Sequence, residues 1–359
     1  MELQFKLREP HAPLLASLAI PAASLISPTF INQRTPVGTG PFRFKEWIPN
    51  ERIVLEANPH HWNTPPAFTT LIFKVVPDNA TRLIQLQTGQ VHAMDGLDPG
   101  DLPVVSKNAR LRILSGPGLN VCYLALNTQR PPLQDKLVRR AIAAAINKPD
   151  VLTAVYRDAA VLARNPLPPF IAGHNDKTPS AHTKPDGVQP PAQSLTLHVM
   201  TNPRVYLPNP LRVAQLIKAD LEKAGFKIEI VSNEWGAHLD RTQRGEHDLA
   251  ILGWVGDTGD ADNFLYVLLD KDTATVGSAL NIAFWKHDPY HELMMAARQE
   301  IDSEKRAALY RQAQEMIFEE CPMVPLAHAQ NLVITRAEVE NLLLQPNGDI
   351  LFHRVSLPR

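Results

Sequence analysis

Apolar positions along this chain fall into short runs, strict alternations and three-to-four-residue spacings. Together they predict a mixed α/β protein. Phe42–Trp47 and Arg52–Ala57 alternate and read as a hairpin, and Leu71–Val76 and Val91–Met94 as further strands. Thr81–Thr88 has a helical face and stops at Gly89. Near Gly118 the texture changes. Leu119–Leu126 is rich in β-formers, and Lys136–Ile146 is an Ala-rich helix whose apolar face is Val138, Ala141, Ile142 and Ala145. Asp150–Val155 continues as a second helical piece. Leu195–Met200, Lys227–Val231 and Leu249–Trp254 are strands alternating with helices over Pro210–Ala224, ended by Gly225, and Ala237–Gln243. That alternation predicts a second α/β lobe. Asp288 and Pro289 read as N-cap and first residue of another helix, and Ser303–Glu320 as a long amphipathic one. Met323–Ala327 and Asn331–Thr335 are predicted strands, and Leu342–Val355 is β-like. The polar, Pro-rich stretch 172–193 reads as a surface excursion.

The N-terminus is read as a strand over Leu3–Leu7 and a short helix over Ala12–Ala23. Apolar residues after Lys6 and Arg8 faintly suggest a secretory signal, but Glu2, Glu9, Pro13 and Pro21 argue against it. No run of apolar residues is long enough to cross a bilayer. A formal net charge of −1 over 359 residues gives no reason to expect nucleic acid as a partner. The 32 prolines punctuate loops between periodic segments. Two cysteines, Cys122 and Cys321, are too few for a disulfide scaffold and read as separate buried thiols.

The most informative stretch runs from Gly253 to Phe264. The apolar run Leu249–Leu252 leads into glycines, Trp254 and three carboxylates, Asp257, Asp260 and Asp262. Glycines allow close approach to the backbone, and a Trp beside an Asp offers a wall and a counter-charge for a cationic group. An acidic strand-to-loop turn explains the same residues about as well. The spacing does not match a calcium loop, and no nucleophile accompanies the carboxylates, so acid/base catalysis is weakly supported. Arg204, just after a strand end, is either a solvated loop residue or a bidentate partner for a carboxylate. His287 and His291 stand one helical turn apart, but a solvated first turn outweighs a metal site there, and no metal or cofactor is expected.

Several segments together resemble the solute-binding proteins of bacterial peptide ABC importers, family 5, the cluster of dipeptide- and oligopeptide-binding proteins. They are Pro36-Val-Gly-Thr-Gly-Pro-Phe42, Asn58-Pro-His-His-Trp62, Gly118-Leu-Asn-Val-Cys-Tyr-Leu-Ala-Leu-Asn-Thr-Gln129 with Pro131-Pro-Leu133, Val138-Arg-Arg-Ala-Ile142 with Ala145-Ile-Asn-Lys148, Tyr310-Arg-Gln-Ala-Gln314 and Pro322-Met-Val-Pro-Leu326. The form of Gly253 to Phe264 looks most like the dipeptide-binding branch.

The resemblance implies a two-lobed periplasmic-binding-protein fold with two crossover strands, near Leu119–Asn127 and Leu326–Val333. It implies a binding protein, not an enzyme, that closes over dipeptides or short peptides and delivers them to the permease subunits of a membrane importer. By the same resemblance Asp257 pairs with the peptide α-ammonium and Arg204 with its carboxylate. Trp254 walls a side-chain pocket, and the backbone of Gly253, Val255 and Gly256 pairs with the peptide main chain. The expected division is residues 1–118 as a first lobe lacking its usual N-terminal portion, 119–327 as the second lobe carrying the anchors, and 328–359 returning to the first. A periplasmic monomer is implied. Alternatives on the same fold are a binder of haem, an antimicrobial peptide or a nickel complex, or a fragment dependent on a missing part. A cysteine pair that some relatives carry after Phe264 is absent here, where Lys271 and Lys286 stand.

Overall fold

The computed structural model describes residues 4–25 and 35–357. The chain divides into two units, one of Met1–Ile20 with Pro117–Ala329, the other of Pro21–Gly116 with Gln330–Arg359. In chain order, α1 (Leu14–Leu18) belongs to the first unit. The second contains β1 (Phe42–Ile48), β2 (Arg52–Ala57), β3 (Thr70–Lys74), α2 (Asn79–Gln87), β4 (Ala93–Asp95) and α3 (Leu102–Val105), and β5 (Leu111–Pro117) ends at the passage into the first. The first unit continues with β6 (Asn120–Leu126), α4 (Lys136–Ala145), α5 (Lys148–Val151), β7 (Ala160–Leu162), β8 (Ser194–Met200), α6 (Pro210–Lys223), β9 (Lys227–Asn233), α7 (Trp235–Gln243) and β10 (Leu249–Val255). It then adds α8 (Asp262–Leu269), α9 (Asp288–Gln299) and α10 (Ser303–Glu320), before β11 (Met323–Arg336) carries the chain back.

In the second unit β1, β2 and β3 form an antiparallel sheet, with a bulge in β1 between Phe44 and Glu46. Asp78 caps α2 by accepting the Thr81 N–H. Leu83 and Leu86 of that helix pack with Met94, Val105 and Ile334 in a small core of the unit. β4 pairs antiparallel with the Val333–Thr335 end of β11.

The first unit is built on one sheet in the order β11–β6–β10–β8–β9, with β7 on the Ala327–Ala329 part of β11. β6 pairs antiparallel with both β11 and β10, whereas β10, β8 and β9 run parallel. β6 is buried at every position. Its Cys122, Leu124 and Leu126 enter a core shared with Ile142 of α4 and Val213 and Ile217 of α6. Val121, Tyr123 and Ala125 enter a second core with Phe264 of α8, Met294 of α9 and Tyr310 of α10. A strand covered on both faces has no polar face to alternate with, so β6 and the start of β10 read as continuous apolar runs. Burial of each such Leu or Val contributes about 1.5–3 kcal/mol.

Several expectations needed correction. Of the Leu3–Leu7 strand, Leu3 lies outside the described residues and 4–7 form no strand, while the Ala12–Ala23 helix shrinks to α1 and a 3-10 turn at Pro21–Ala23. The Asp150–Val155 piece is α5 followed by a wider π-turn over Leu152–Tyr156. His287, not Asp288, caps α9, its Nδ1 accepting the Tyr290 N–H. The two strands expected at 323–327 and 331–335 are continuous in β11. Leu342–Val355 holds only isolated bridges and a 3-10 turn. The 172–193 stretch is more than a surface excursion. Asn175 and Thr178 are buried, and Gln314 of α10 accepts the Asn175 N–H and donates to the Gly173 carbonyl. Cys122 and Cys321 are both buried and unbridged.

Candidate functional site

The candidate anchors lie at the carboxyl ends of the parallel strands. β8 ends at Met200 and Arg204 follows four residues on; β9 ends at Asn233 and α7 opens with Trp235; β10 ends at Val255 and Asp257 follows. Loops at the carboxyl ends of adjacent parallel strands share one edge of the sheet, where α/β folds hold ligands.

Arg204 is held by the chain around it. Its backbone exchanges hydrogen bonds with Leu207, at 3.0 and 2.8 Å. Its guanidinium stacks over the Trp235 ring at 3.8 Å from the centroid. Trp235 is itself anchored through its backbone N–H, which donates to Asn202 Oδ1 at 3.1 Å. The Arg204 Nε is buried without a hydrogen-bond partner, and no ion pair among the described residues engages this side chain. Trp235 is the residue that sequence reasoning missed. An indole in the short gap between the predicted strand over Lys227–Val231 and the predicted helix over Ala237–Gln243 was the available signal.

The three carboxylates separate by environment. Arg306 Nη1 and Nη2 grip Asp260 in a fork, at 2.7 and 2.8 Å, and Nη2 also donates to Tyr310 Oη at 2.7 Å. Asp262 is buried, and its N–H donates to Asp260 Oδ1. Its Oδ1 lies 3.3 Å from Arg298 Nε, near enough for an ion pair but without hydrogen-bond alignment. Burial raises the Asp262 pKa above the ordinary carboxylate value, an effect the Arg298 charge opposes. Asp257 alone is exposed, and no ion pair or side-chain hydrogen bond among the described residues engages its carboxylate. Its backbone is nevertheless fixed: Asn263 Oδ1 accepts both the Asp257 N–H and the Trp254 Nε1–H, each at 3.0 Å. One amide oxygen therefore orients the loop and the indole together. Trp254 is half-buried against the core that holds Phe264.

The glycines have a reason within the chain. A Cβ on Gly253 would stand 2.2 Å from the Tyr206 ring, and one on Gly256 would stand 2.7 Å from Phe264 and 2.9 Å from Leu119. Their side-chain faces are therefore filled by this protein's own residues. What remains for a ligand is the backbone edge. The Gly256 N–H donates to the Leu119 carbonyl, and the Ile251 carbonyl accepts from His238 Nε2 on the opposite side. By the alternation of an antiparallel ladder, Gly253 and Val255 direct their N–H and C=O groups to that opposite side. There the register of β10 with β8 stops at Ala250–His198. Among the described residues the strand thus presents an edge without a strand partner beside Asp257.

Other candidate clusters have different partners. His287 stacks on Trp285, while His291 Nδ1 approaches Asp270 Oδ1 at 2.9 Å, so the two histidines do not share a metal. Asp270, Asp272 and His291 do place one potential ligand atom each within 4.8 Å of one another. Asp270 already accepts the Asp272 N–H, and Asp272 accepts from Tyr266 Oη, which accounts for the group as a loop anchor.

Comparison with known proteins gives a consistent result. Residues 1–275 match the family described as bacterial extracellular solute-binding proteins, family 5 Middle. The dipeptide-binding protein of Escherichia coli K12 is 34% identical over 99% of this chain and 70% of its own length. Heme-binding protein A of Haemophilus influenzae is 31% identical over 99% of this chain and 68% of its own. Among solved structures, the ABC transporter-associated periplasmic binding protein of Helicobacter pylori, in complex with the peptide STSA, superposes with a TM-score of 0.84 at 31% identity, covering 99% of this chain and 72% of that one. No helix among the described residues is long and apolar enough to cross a membrane. A match over most of the chain, with an α/β sheet presenting its anchors at the strand ends, settles its kinship: this chain belongs to the bacterial extracellular solute-binding proteins of family 5.

Proposed function

We propose that this chain is the ligand-capturing component of an ABC-type peptide importer, taking dipeptides or short peptides. The observation that carries the reading is the pair of unengaged opposite charges at one sheet edge, Arg204 braced by Trp235 and Asp257 fixed by Asn263. Asp257 receives the peptide α-ammonium and Arg204 the carboxylate. The open edge of β10 at Gly253 and Val255 pairs with the peptide main chain, and Trp254 borders the side-chain pocket. Two fixed charges select a zwitterion of limited length, and main-chain pairing is indifferent to side chains. Nothing in this arrangement performs chemistry on the peptide, since Asp260 and Asp262 are committed to Arg306 and Arg298. The working form is a periplasmic monomer that meets permease subunits of the importer and no nucleic acid.

Calorimetric titration with Ala-Ala tests this. Asp257→Asn and Arg204→Gln each remove a charge-assisted hydrogen bond and weaken binding about 10- to 100-fold. N-acetylation of the dipeptide weakens binding to the wild type by a similar factor and has little further effect on Asp257→Asn. Equal affinities of wild type and Asp257→Asn for Ala-Ala overturn the assignment. A ligand with no ammonium, such as haem, would be held indifferently to that substitution.

A further inference from the structure

Away from the β10 edge, the first unit contains a small cleft, partly open to solvent, where the 172–193 segment lies against α10 and the start of β11. Its chemistry is one-sided. Lys148 and Arg164 line it, with Thr178, Ser180, His182 and Phe318, and no Asp or Glu does. Lys148 is 6% exposed. Its Nζ donates to the carbonyls of Ala163 and Pro325, at 2.9 and 3.2 Å, which uses two of three protons. Burial, and then the like charge of Arg164, lower its pKa to about 8. Arg164 Nη1 donates to the Thr178 carbonyl at 3.3 Å, and no ion pair among the described residues engages either cation. Thr178 is 3% exposed, yet its hydroxyl has no hydrogen-bond partner among the described residues. The His182 ring lies flat on Phe318, 4.0 Å between centroids, and forms an apolar side.

Among the described residues, a buried ammonium without a counter-ion and a buried hydroxyl without a partner carry a double cost: an unpaired buried charge and an unsatisfied polar group. One ligand relieves both. We propose that this cleft binds a small oxyanion of the phosphate or sulfate class, held by the Lys148 ammonium, the Arg164 guanidinium and the Thr178 hydroxyl. A tetrahedral oxyanion offers acceptors to all three donors at once and a counter-charge to the buried ammonium, with the exposed Arg164 at the rim. Because the segment that closes the cleft also packs on α10, the bound anion ties 172–193 to the body of the unit.

The test is titration of the full chain with inorganic phosphate at constant ionic strength, with heat and thermal midpoint as readouts and Ala-Ala binding followed in parallel. Expected is saturable 1:1 binding that raises the midpoint. Arg164→Gln should weaken it about 10-fold or more, and Thr178→Val a few-fold, with Ala-Ala affinity unchanged. Absence of saturable phosphate binding by the folded wild type overturns the proposal, as does unchanged phosphate affinity in Arg164→Gln. Thr178→Val keeps the side chain's shape and carries the test if Arg164→Gln does not fold; unchanged affinity there is equally decisive against it. Failure of this site would leave the peptide anchors untouched, since the two share no residue.

Discussion

Gly253→Ala separates two reasons for a glycine at the start of the acidic loop. If the residue is small to admit a ligand, adding a methyl group harms binding and leaves the free protein stable. The structure argues otherwise. The added Cβ would meet three Tyr206 ring atoms at 2.2, 2.5 and 2.6 Å. The ring is 5% exposed and belongs to the α4/α6 core, and the Tyr206 carbonyl is held by the Tyr156 hydroxyl at 2.7 Å. Relief requires either a shift of β10, clamped by β6 along its whole length, or expulsion of the ring. Overpacking costs about 1–3 kcal/mol, and exposing a large side chain costs a similar amount, so a loss of about 1–3 kcal/mol is expected by either route. The assay is urea denaturation of the ligand-free protein. Gly259→Ala is the control, because a Cβ there meets nothing within 4 Å; it should be neutral or slightly stabilising. The double variant Gly253→Ala/Tyr206→Leu should recover part of the loss, since the two sites are in contact. An unfolding midpoint for Gly253→Ala equal to that of wild type would refute the reasoning.

Asn263→Ala removes the acceptor shared by Trp254 and Asp257 and should cost about 1–2 kcal/mol of stability together with Ala-Ala affinity; Asn263→Asp keeps the acceptor and should preserve both, as read by denaturation and calorimetry. Arg306→Met leaves the Asp260 carboxylate without its fork and should cost about 3–5 kcal/mol, and Asp260→Asn in the same chain should restore much of it. Three buried histidines make stability depend on pH. Burial lowers His247 to about 3 and His238 and His328 to about 4, and each has one ring nitrogen on a carbonyl and the other without a partner. The unfolded chain takes up these protons below about pH 6.5 while the folded chain does not, so stability falls as pH drops from there towards about 4, by up to about 4 kcal/mol per unit. The urea midpoint should decline steadily across that window, and His247→Gln should reduce the slope by about 1.4 kcal/mol per pH unit, one proton's share; a midpoint constant between about pH 7 and pH 5 would contradict it.

The sequence by itself determined the elements whose signal is local. Unbroken apolar runs marked β6 and β10 because each is buried on both faces, and the helix over 210–223 declared itself by its period and by Gly225 at its end. It also presented Asp257, Arg204 and Trp254 as candidates, because charges and an indole beside strand ends are visible in order along the chain. Which carboxylate is available was not legible from spacing, and only the family resemblance singled out Asp257. Asp260 and Asp262 differ from Asp257 only because Arg306 and Arg298, dozens of residues away, are brought to them by α9 and α10. Trp235 under Arg204 depends likewise on the adjacency of β8 and β9. The glycines read locally as room for a ligand or as turn residues, and the arrival of Tyr206 and Phe264 against them adds a third reason, steric fit within the chain. Polarity made 172–193 look like a surface loop, yet its Asn175 and Thr178 are buried, Asn175 against the distant Gln314. In each case the sequence sets what a residue is able to do. Which partners satisfy its charge or fill its space is fixed by neighbours remote in the chain, and that only the tertiary structure decides.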